Sequence, residues 1–494
     1  MLAPAAGDPA LRLGSAELTA QAADPLPTPG LRRAWWLREA LAAEQPPLLT
    51  PSLFGEASAD VAIIGGGYTG MWTAWFLTEM APGTRIVLLE ADICGGGPSG
   101  RNGGFLHGWW EYLPYLVERY GPGHGLEIAR ASDEVVTGVG KWCELHGVEA
   151  WFTPHGYLRV NAFPGLANDW AGTVADLERL GAPGQLLHLD RAAVQQVCAS
   201  PAFGEGVMMT SAATVQPALL ARGLRRVLIE RGVEIHEGTA VERIERGVRM
   251  RLRTARGSVT ADQVVLAANA WAAGWPGFRT RVLAWGSYIV LTEPIPDRLA
   301  ALGWTGGEAI ADSRFTISYF RTTRDGRIAF GAGVGAAGFD GRIGPVFTDS
   351  RQAIDHVVAN FRHLFPMLSD VRLEDAWGGP IDITADRFPE IGSQHGGRML
   401  YAHGFAGNGV GPARLAGRIL AARLAGGDDS LANLPLFGRR QRFLPPEPFR
   451  YLGARAIRVA LIRQDDALDA GRRPGLLTRL VARVPSLLGY RFRH

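Results

Sequence analysis

Residues 59–105 open as Ala59-Asp60-Val61-Ala62-Ile63-Ile64-Gly65-Gly66-Gly67-Tyr68-Thr69-Gly70-Met71 and close as Gly95-Gly96-Gly97-Pro98-Ser99-Gly100-Arg101-Asn102-Gly103-Gly104-Phe105. Val61 to Ile64 is a short apolar run of the kind that forms a buried parallel strand. Gly65, Gly67 and Gly70 then give G-x-G-x-x-G, and Met71 to Met80 reads as a helix. Gly65 permits the tight turn, Gly67 lets the backbone approach a pyrophosphate, and Gly70 lets helix and strand pack closely. The N–H groups of the helix start, around Tyr68 and Thr69, hold phosphate with the positive end of the helix dipole. A second strand, Arg85 to Leu89, ends in Glu90-Ala91. A carboxylate at Glu90 accepts hydrogen bonds from a ribose 2′-OH and repels a 2′-phosphate, which disfavours NADP. Strand, glycines, helix, strand and acid in register predict a dinucleotide-binding unit.

The second glycine-rich segment bears on which dinucleotide. Gly95 to Phe105 resembles the second flavin-contacting loop of the D-amino-acid oxidase/glycine oxidase family of FAD enzymes, and its form Ser-Gly-Arg-Asn-Gly-Gly resembles the branch containing γ-glutamylputrescine oxidase. The resemblance implies a loop along the pyrophosphate toward the isoalloxazine, with Gly97, Ser99, Arg101, Asn102, Gly103, Gly104 and Phe105 in contact. It continues at Thr214 to Gln216, the helix Ala218 to Arg231, and strands ending in Ala261 to Trp271. By that likeness Val241 lies near the adenine, and Asn269 and Trp271 beside the cofactor. A last piece runs from Trp377 to Leu424. There the strand Met399 to Ala402 feeds His403-Gly404-Phe405-Ala406-Gly407-Asn408-Gly409-Val410-Gly411 and a helix from Pro412. The resemblance aims this helix start at the flavin's pyrimidine edge, with Gly404, Phe405, Asn408, Gly409 and Val410 in contact. Many members carry histidine where this chain has Asn408, which donates a hydrogen bond but cannot titrate. The likeness covers roughly residues 55–430.

The expected fold class is α/β (α+β overall). It combines a Rossmann-type FAD-binding domain built from discontinuous segments (55–110, 205–277 and 376–430) with an inserted antiparallel-sheet substrate domain (111–204 and 278–375). Residues 1–54 read as a lead-in with a short amphipathic helix over 31–42, and residues 431–494 as a basic C-terminal extension. Helices are expected at Leu126–His146, Trp170–Leu180 and Ser350–Leu364. Strands are expected at Trp151–Val160, Arg281–Thr292, Thr316–Arg321 and Arg327–Gly331.

The composition of these 494 residues, 47% hydrophobic and 20% charged, is that of a globular protein with a sizeable core. No apolar run reaches the length of a membrane span, and the first thirty residues lack a basic-then-apolar export pattern, so a cytoplasmic home is expected. Cys94, Cys143 and Cys198 have neither metal-ligand spacing nor a disulfide frame, and no metal is expected. Lys141 is the single lysine among 51 basic residues. Residues 436–494 carry thirteen arginines against four acids, while the whole chain is only +3, so the rest of it is acidic. Such a tail suits either fold-back on the acidic body or a neighbouring subunit, which is the favoured reading, or contact with an anionic membrane surface. Nucleic acid is not expected.

The family likeness implies hydride removal from the carbon beside nitrogen in a primary or secondary amine or amino acid. The resulting imine is hydrolysed, and O2 is reduced to H2O2. The amine must be neutral when it reacts. His107 is the candidate proton acceptor. Tyr319 and Arg321 resemble the family strand whose arginine grips a substrate carboxylate; Tyr288 and Trp285 are wall candidates, and His403 a weaker one than His107. No cysteine follows Cys198, and Arg101-Asn102 occupy the second loop, so FAD is expected to be non-covalent. The lysine that activates oxygen in sarcosine-oxidase relatives is missing, which leaves the acceptor open. A dehydrogenase serving a quinone or carrier protein, a docking flavoprotein and a nicotinamide enzyme remain as alternatives.

Overall fold

The computed structural model describes residues 17–19, 33–44, 48, 50–162, 168–427, 429–439 and 441–491. Of the lead-in 1–30 only Glu17–Thr19 is described, an edge strand beside Val241–Glu245. Arg440 and Arg493 of the basic extension lie outside the described residues.

Val61–Ile64 is the inner half of the strand Gly55–Ile64. Its burial alternates at first and becomes continuous from Val61, because only the inner half is covered on both faces. Ile86–Leu89 and Gly257–Leu266 flank it in parallel, and Glu234–His236 and Met399–His403 extend the parallel order on either side. The helices Tyr68–Met80, Pro217–Glu230 and Pro412–Ala425 cover one face, interlocking through Trp72, Leu220, Leu224, Leu415 and Ile419. Val241–Glu245 and Met250–Thr254 continue the same sheet antiparallel from Gly257–Leu266, and their apolar side chains join Trp275 and Phe278 in the core on its other face. The first helix of the unit begins at Tyr68 rather than Met71. Gly67 caps it in an extended conformation, so the first turn sits directly over the glycine loop.

The second sheet has eight strands, in the order Leu373–Ile383, Leu283–Thr292, Ile328–Ala332, Ser318–Thr322, Ala309–Asp312, Tyr157–Val160, Gly206–Met209 and Leu187–Leu189. All pairs are antiparallel except Ala309–Asp312 with Tyr157–Val160, which run parallel, so the sheet is mixed rather than purely antiparallel. Helix Arg351–Leu364 closes its outer face over Phe320, Phe330 and Tyr288. The sheets divide the chain differently from the expected segments. Gly206–Met209 and Leu373–Ile383 belong to the second sheet, so the first-sheet segments start after these strands rather than at 205 and 376. Residues 113–145 form two helices that meet at Gly121, whose backbone is not helical (φ 82°), and the second of them contains most of the expected Leu126–His146. Trp142, in the second of them, packs 5.0 Å from Trp72 and so ties it to the helices of the first sheet.

Two peripheral elements bind the halves together. Helix Trp35–Ala43 sets Trp36 against Trp377 of the second sheet and Trp151 before Tyr157–Val160. On the other side Arg33 pairs with Asp92, and Glu44 with Arg222 and Arg225, both of which also hold Glu237. The basic tail folds back as helix Phe449–Asp469. Asp465 accepts hydrogen bonds from Phe315 N, Thr316 N and Thr316 Oγ1, and Arg458 donates to the Val334 carbonyl at 2.7 Å. Helix Leu476–Leu487 returns along it, and Arg491 N then donates to the Ala385 carbonyl at 3.0 Å. Among the described residues no helix is long and apolar enough to cross a membrane.

Candidate active site

The glycine loop is built for close approach. A Cβ on Gly65 (φ +111°) would lie 2.5 Å from the Ala267 carbonyl oxygen, and one on Gly70 only 2.0 Å from that of Gly65. Either methyl would push the strand and helix apart. Tyr68 N, in the first helical turn, donates to Ser99 Oγ at 2.9 Å, so the two glycine-rich segments meet where phosphate is expected. Glu90 leaves its strand with one carboxylate oxygen on Gly66 N (2.7 Å) and the other on Asp92 N (2.8 Å). Burial, helped by the nearby Asp92 and Glu237, pushes this carboxyl up to about 7. Ala91 lies between the two. Thr239 N donates to the Glu90 carbonyl at 2.7 Å, which brings the start of Val241–Glu245 to the same end of the sheet.

The second loop is braced from within. Asn102 Nδ2 donates to the Pro98 and Ser99 carbonyls, and its Oδ1 accepts from Gly104 N at 2.7 Å. Arg101 lines the cavity, its Nε donates to the Gly96 carbonyl, and its own carbonyl accepts from Trp377 Nε1, pinning the loop to the second sheet. Burial pushes its guanidinium down to about 10. Trp271 lies 3.8 Å from where a Cβ on Gly97 would stand. Trp271 Nε1 and Asn269 Oδ1 are buried without a hydrogen-bond partner among the described residues, and Asn269 adopts φ 48°. In the last piece Asp382 accepts from Gly404 N and Phe405 N, and burial pushes its carboxyl up to about 6. Asn408 Nδ2 donates to Tyr112 Oη at 3.4 Å; Gly409 and Val410 lead into the helix Pro412–Ala425.

A cavity of about 150 Å³ lies between the sheets. Asn102, Gly103 and Phe105 line it from the second loop, Asn408 and Val410 from the last piece, and Tyr157, Arg159, Ser287 and Tyr319 from the second sheet. His107 and Tyr319 both line it. His107 Nδ1 lies 2.9 Å from the Gly108 carbonyl. A carbonyl only accepts, so Nδ1 carries the proton and Nε2 the lone pair. Burial lowers the imidazole below its usual range and keeps it neutral, and its ring stacks on Tyr157. The Tyr319 ring packs against Gly103, its hydroxyl bonds Ser287 Oγ at 2.8 Å, and burial pushes that phenol up to about 12.

Arg321 is not in the cavity. Two residues further along the strand than Tyr319, it sits roughly 7 Å beyond, beneath Gly104, where it donates to the Val215 carbonyl at 2.6 Å and covers the face of Trp36. Burial pushes it down to about 9. There it braces the second loop's exit, and it is not among the residues that line the cavity. His403 is tied to Glu390 at 3.2 Å in a buried strand, stacked on Tyr401. Tyr288 points into the second core, and Trp285 Nε1 donates to the Gly333 carbonyl. Lys141 lines a separate cavity beside Arg414.

Four polar cavity residues absent from the expected set bear on its chemistry: Glu111, Tyr157, Arg159 and Arg387. Arg159 and Glu111 form a buried pair at 2.6 Å. Arg387 has φ 58° in the left-handed region, and burial lowers its guanidinium below the usual range. Such a backbone is costly for a non-glycine residue and concentrates at functional sites. The alternation Tyr157-x-Arg159, which places both on one strand face, was the available signal for two of the four.

Comparison with known proteins agrees with this geometry. Residues 60–423 match the model of the DAO family, described as FAD dependent oxidoreductase. A Rhizobium meliloti protein described as probable oxidoreductase OrdL is 31% identical over 422 residues, spanning 83% of this chain and 93% of its own. Gamma-glutamylputrescine oxidoreductase of Escherichia coli is 29% identical, over 80% of this chain and 91% of its own. The solved glycine oxidase of Geobacillus kaustophilus superposes with a TM-score of 0.62 at 19% identity, over 78% of this chain and all of that one, a likeness of fold. The residues present fit FAD. The cradle closes if its glycines gain a methyl group, a half-buried acid stands just beyond the second strand, Trp271 lies beside Gly97 of the second loop, and Trp271 Nε1 and Asn269 Oδ1 are buried without a partner among the described residues.

Proposed function

Because the chain belongs to the FAD-dependent oxidoreductase family, we propose that it oxidises the C–N bond of a primary or secondary amine or amino acid to an imine, which water hydrolyses, with O2 as electron acceptor. Bound FAD supplies the hydride acceptor. Glu90 holds its ribose, the start of helix Tyr68–Met80 its pyrophosphate, and the Asn102–Gly104 loop its ring. The observation that carries the reading is the cavity, which sets the end of that loop against polar side chains of the second sheet.

The protein supplies two things there. His107, neutral and with Nε2 as acceptor, takes the proton of an arriving ammonium, since only the free amine can give up hydride. Arg387, in the cavity wall beside Arg159, pairs with an anionic group elsewhere on the substrate. Tyr157 and Tyr319 narrow the cavity and limit water. A carboxylate-bearing amine is therefore the favoured substrate class, in line with relatives named for γ-glutamylputrescine and for glycine.

The test is anaerobic mixing of the yellow protein with a panel of amines while flavin absorbance is followed, then admission of air. Bleaching by a carboxylate-bearing amine, with rapid recovery and peroxide, is the expected result. Slow recovery in air assigns the electrons to another acceptor. If no amine bleaches a flavin that dithionite reduces, the amine reading fails.

A further inference from the structure

Helix Leu476–Leu487 packs on the tail helix through Val481, Ala482 and Pro485 and turns its opposite side to solvent. That side is apolar. Leu476, Leu477, Leu480, Val484, Leu487 and Leu488 are 39 to 79% exposed, and at 100° per residue they fall within one third of the helix circumference. Arg479 and Arg483 flank the stripe on one edge. Arg463, Arg472 and Arg473 are also exposed on the same hairpin, whereas Asp466 is the only exposed acid among the described residues from 449 to 491. The acids that could offset this charge are turned inward: Asp465 onto Phe315 and Thr316, and Asp469 onto Arg314.

We propose that this helix docks the enzyme on an anionic lipid surface, lying in the interface with its leucines among the acyl chains and its arginines at the headgroups. The stripe on this helix is one helix wide. Its footprint of roughly 18 Å by 10 Å falls well short of the about 800 Å² per partner of a stable protein interface. An apolar stripe edged by arginine is what a lipid–water boundary takes up. The chain runs from this helix directly to the cavity. Arg491 lies 4.4 Å over the ring of Tyr115 and 5.4 Å from that of Tyr112, which lines the cavity. The docked face and the substrate site are therefore joined within four residues.

The experiment is vesicle flotation of the FAD-loaded protein, which requires no substrate and so stands apart from the amine reading. The protein floats with phosphatidylglycerol vesicles and stays behind with phosphatidylcholine. The pair Leu480→Asp with Leu487→Asp abolishes flotation, and Arg479→Glu with Arg483→Glu weakens it at least about tenfold. All of these positions are exposed, so flavin absorbance and melting temperature serve as controls for folding. The proposal is overturned if the wild type does not float, if the leucine variant floats equally well, or if that variant instead splits a dimer, which assigns the face to a second copy.

Discussion

Replacing Glu90 by Gln separates charge from shape at the ribose position. In the free protein burial pushes the Glu90 carboxyl from 4.5 to about 7, a penalty on the charged form of about 3 kcal/mol. The folded chain therefore holds a proton that the unfolded chain has already lost. This group's contribution to apoprotein stability is complete below about pH 4.5 and is lost as pH rises to about 7. Ribose hydroxyls donate to the ionised form and select it. At pH 6 about one tenth of the free protein is competent in this sense, and at pH 8 about nine tenths, so the affinity for FAD rises about tenfold between them. Close to one proton is released on binding at pH 6. Titration calorimetry of apoprotein with FAD at pH 6, 7 and 8, in two buffers of different ionisation enthalpy, reads both quantities. Glu90→Gln loses the charge-assisted part of the contact, about 1.5–3 kcal/mol, and its affinity becomes flat with pH. A wild-type affinity that does not change from pH 6 to 8, or a Gln variant that keeps the slope, would falsify this account of the site.

His107→Gln should lower kcat/KM at pH 7 by about a hundredfold or more, with the deficit shrinking at high pH where the amine is already neutral; a pH–rate profile on any oxidised amine reads this. Arg387→Met should raise KM for a carboxylate-bearing amine by about ten- to a hundredfold and change kcat little, as steady-state kinetics will show. Arg321→Met should leave KM alone and lower stability by about 1–3 kcal/mol, because the Val215 carbonyl loses its donor; thermal melting decides, and a KM effect larger than that of Arg387→Met would return Arg321 to the substrate. Burial pushes Asp465 from 3.8 to about 7, so the stability linked to its proton is complete below about pH 4 and falls by roughly 4 kcal/mol as pH rises to about 7. The melting temperature of Asp465→Asn relative to wild type should accordingly climb between pH 5 and pH 8.

The cofactor half was legible because its constraints are local. The turn at Gly65, the close packing at Gly70 and the acid ending the next strand sit within 26 residues of one another, and each has a steric or electrostatic cause readable from residue type. The substrate half was not. Arg159, Glu111 and Arg387 come from three distant segments and meet only in the folded chain, at the cavity wall. In a chain whose positive charge is almost all arginine, no single arginine stands out. Arg321 was chosen for its strand and neighbours, yet a shift of two residues separates a cavity wall from a loop brace. The strand Leu373–Ile383 was read with the glycine loop that follows it, because alternation cannot tell which of two sheets a strand joins.

The helix Trp35–Ala43 acts as a splint. Trp36 is wedged against Trp377 and Trp151, while the ends of the helix are clamped by Asp92 and by Arg222 with Arg225. One short segment therefore fixes the second sheet to the dinucleotide unit from outside. Any change of angle between the two halves would therefore have to break the Trp36 packing and the ion pairs at both ends of this helix together.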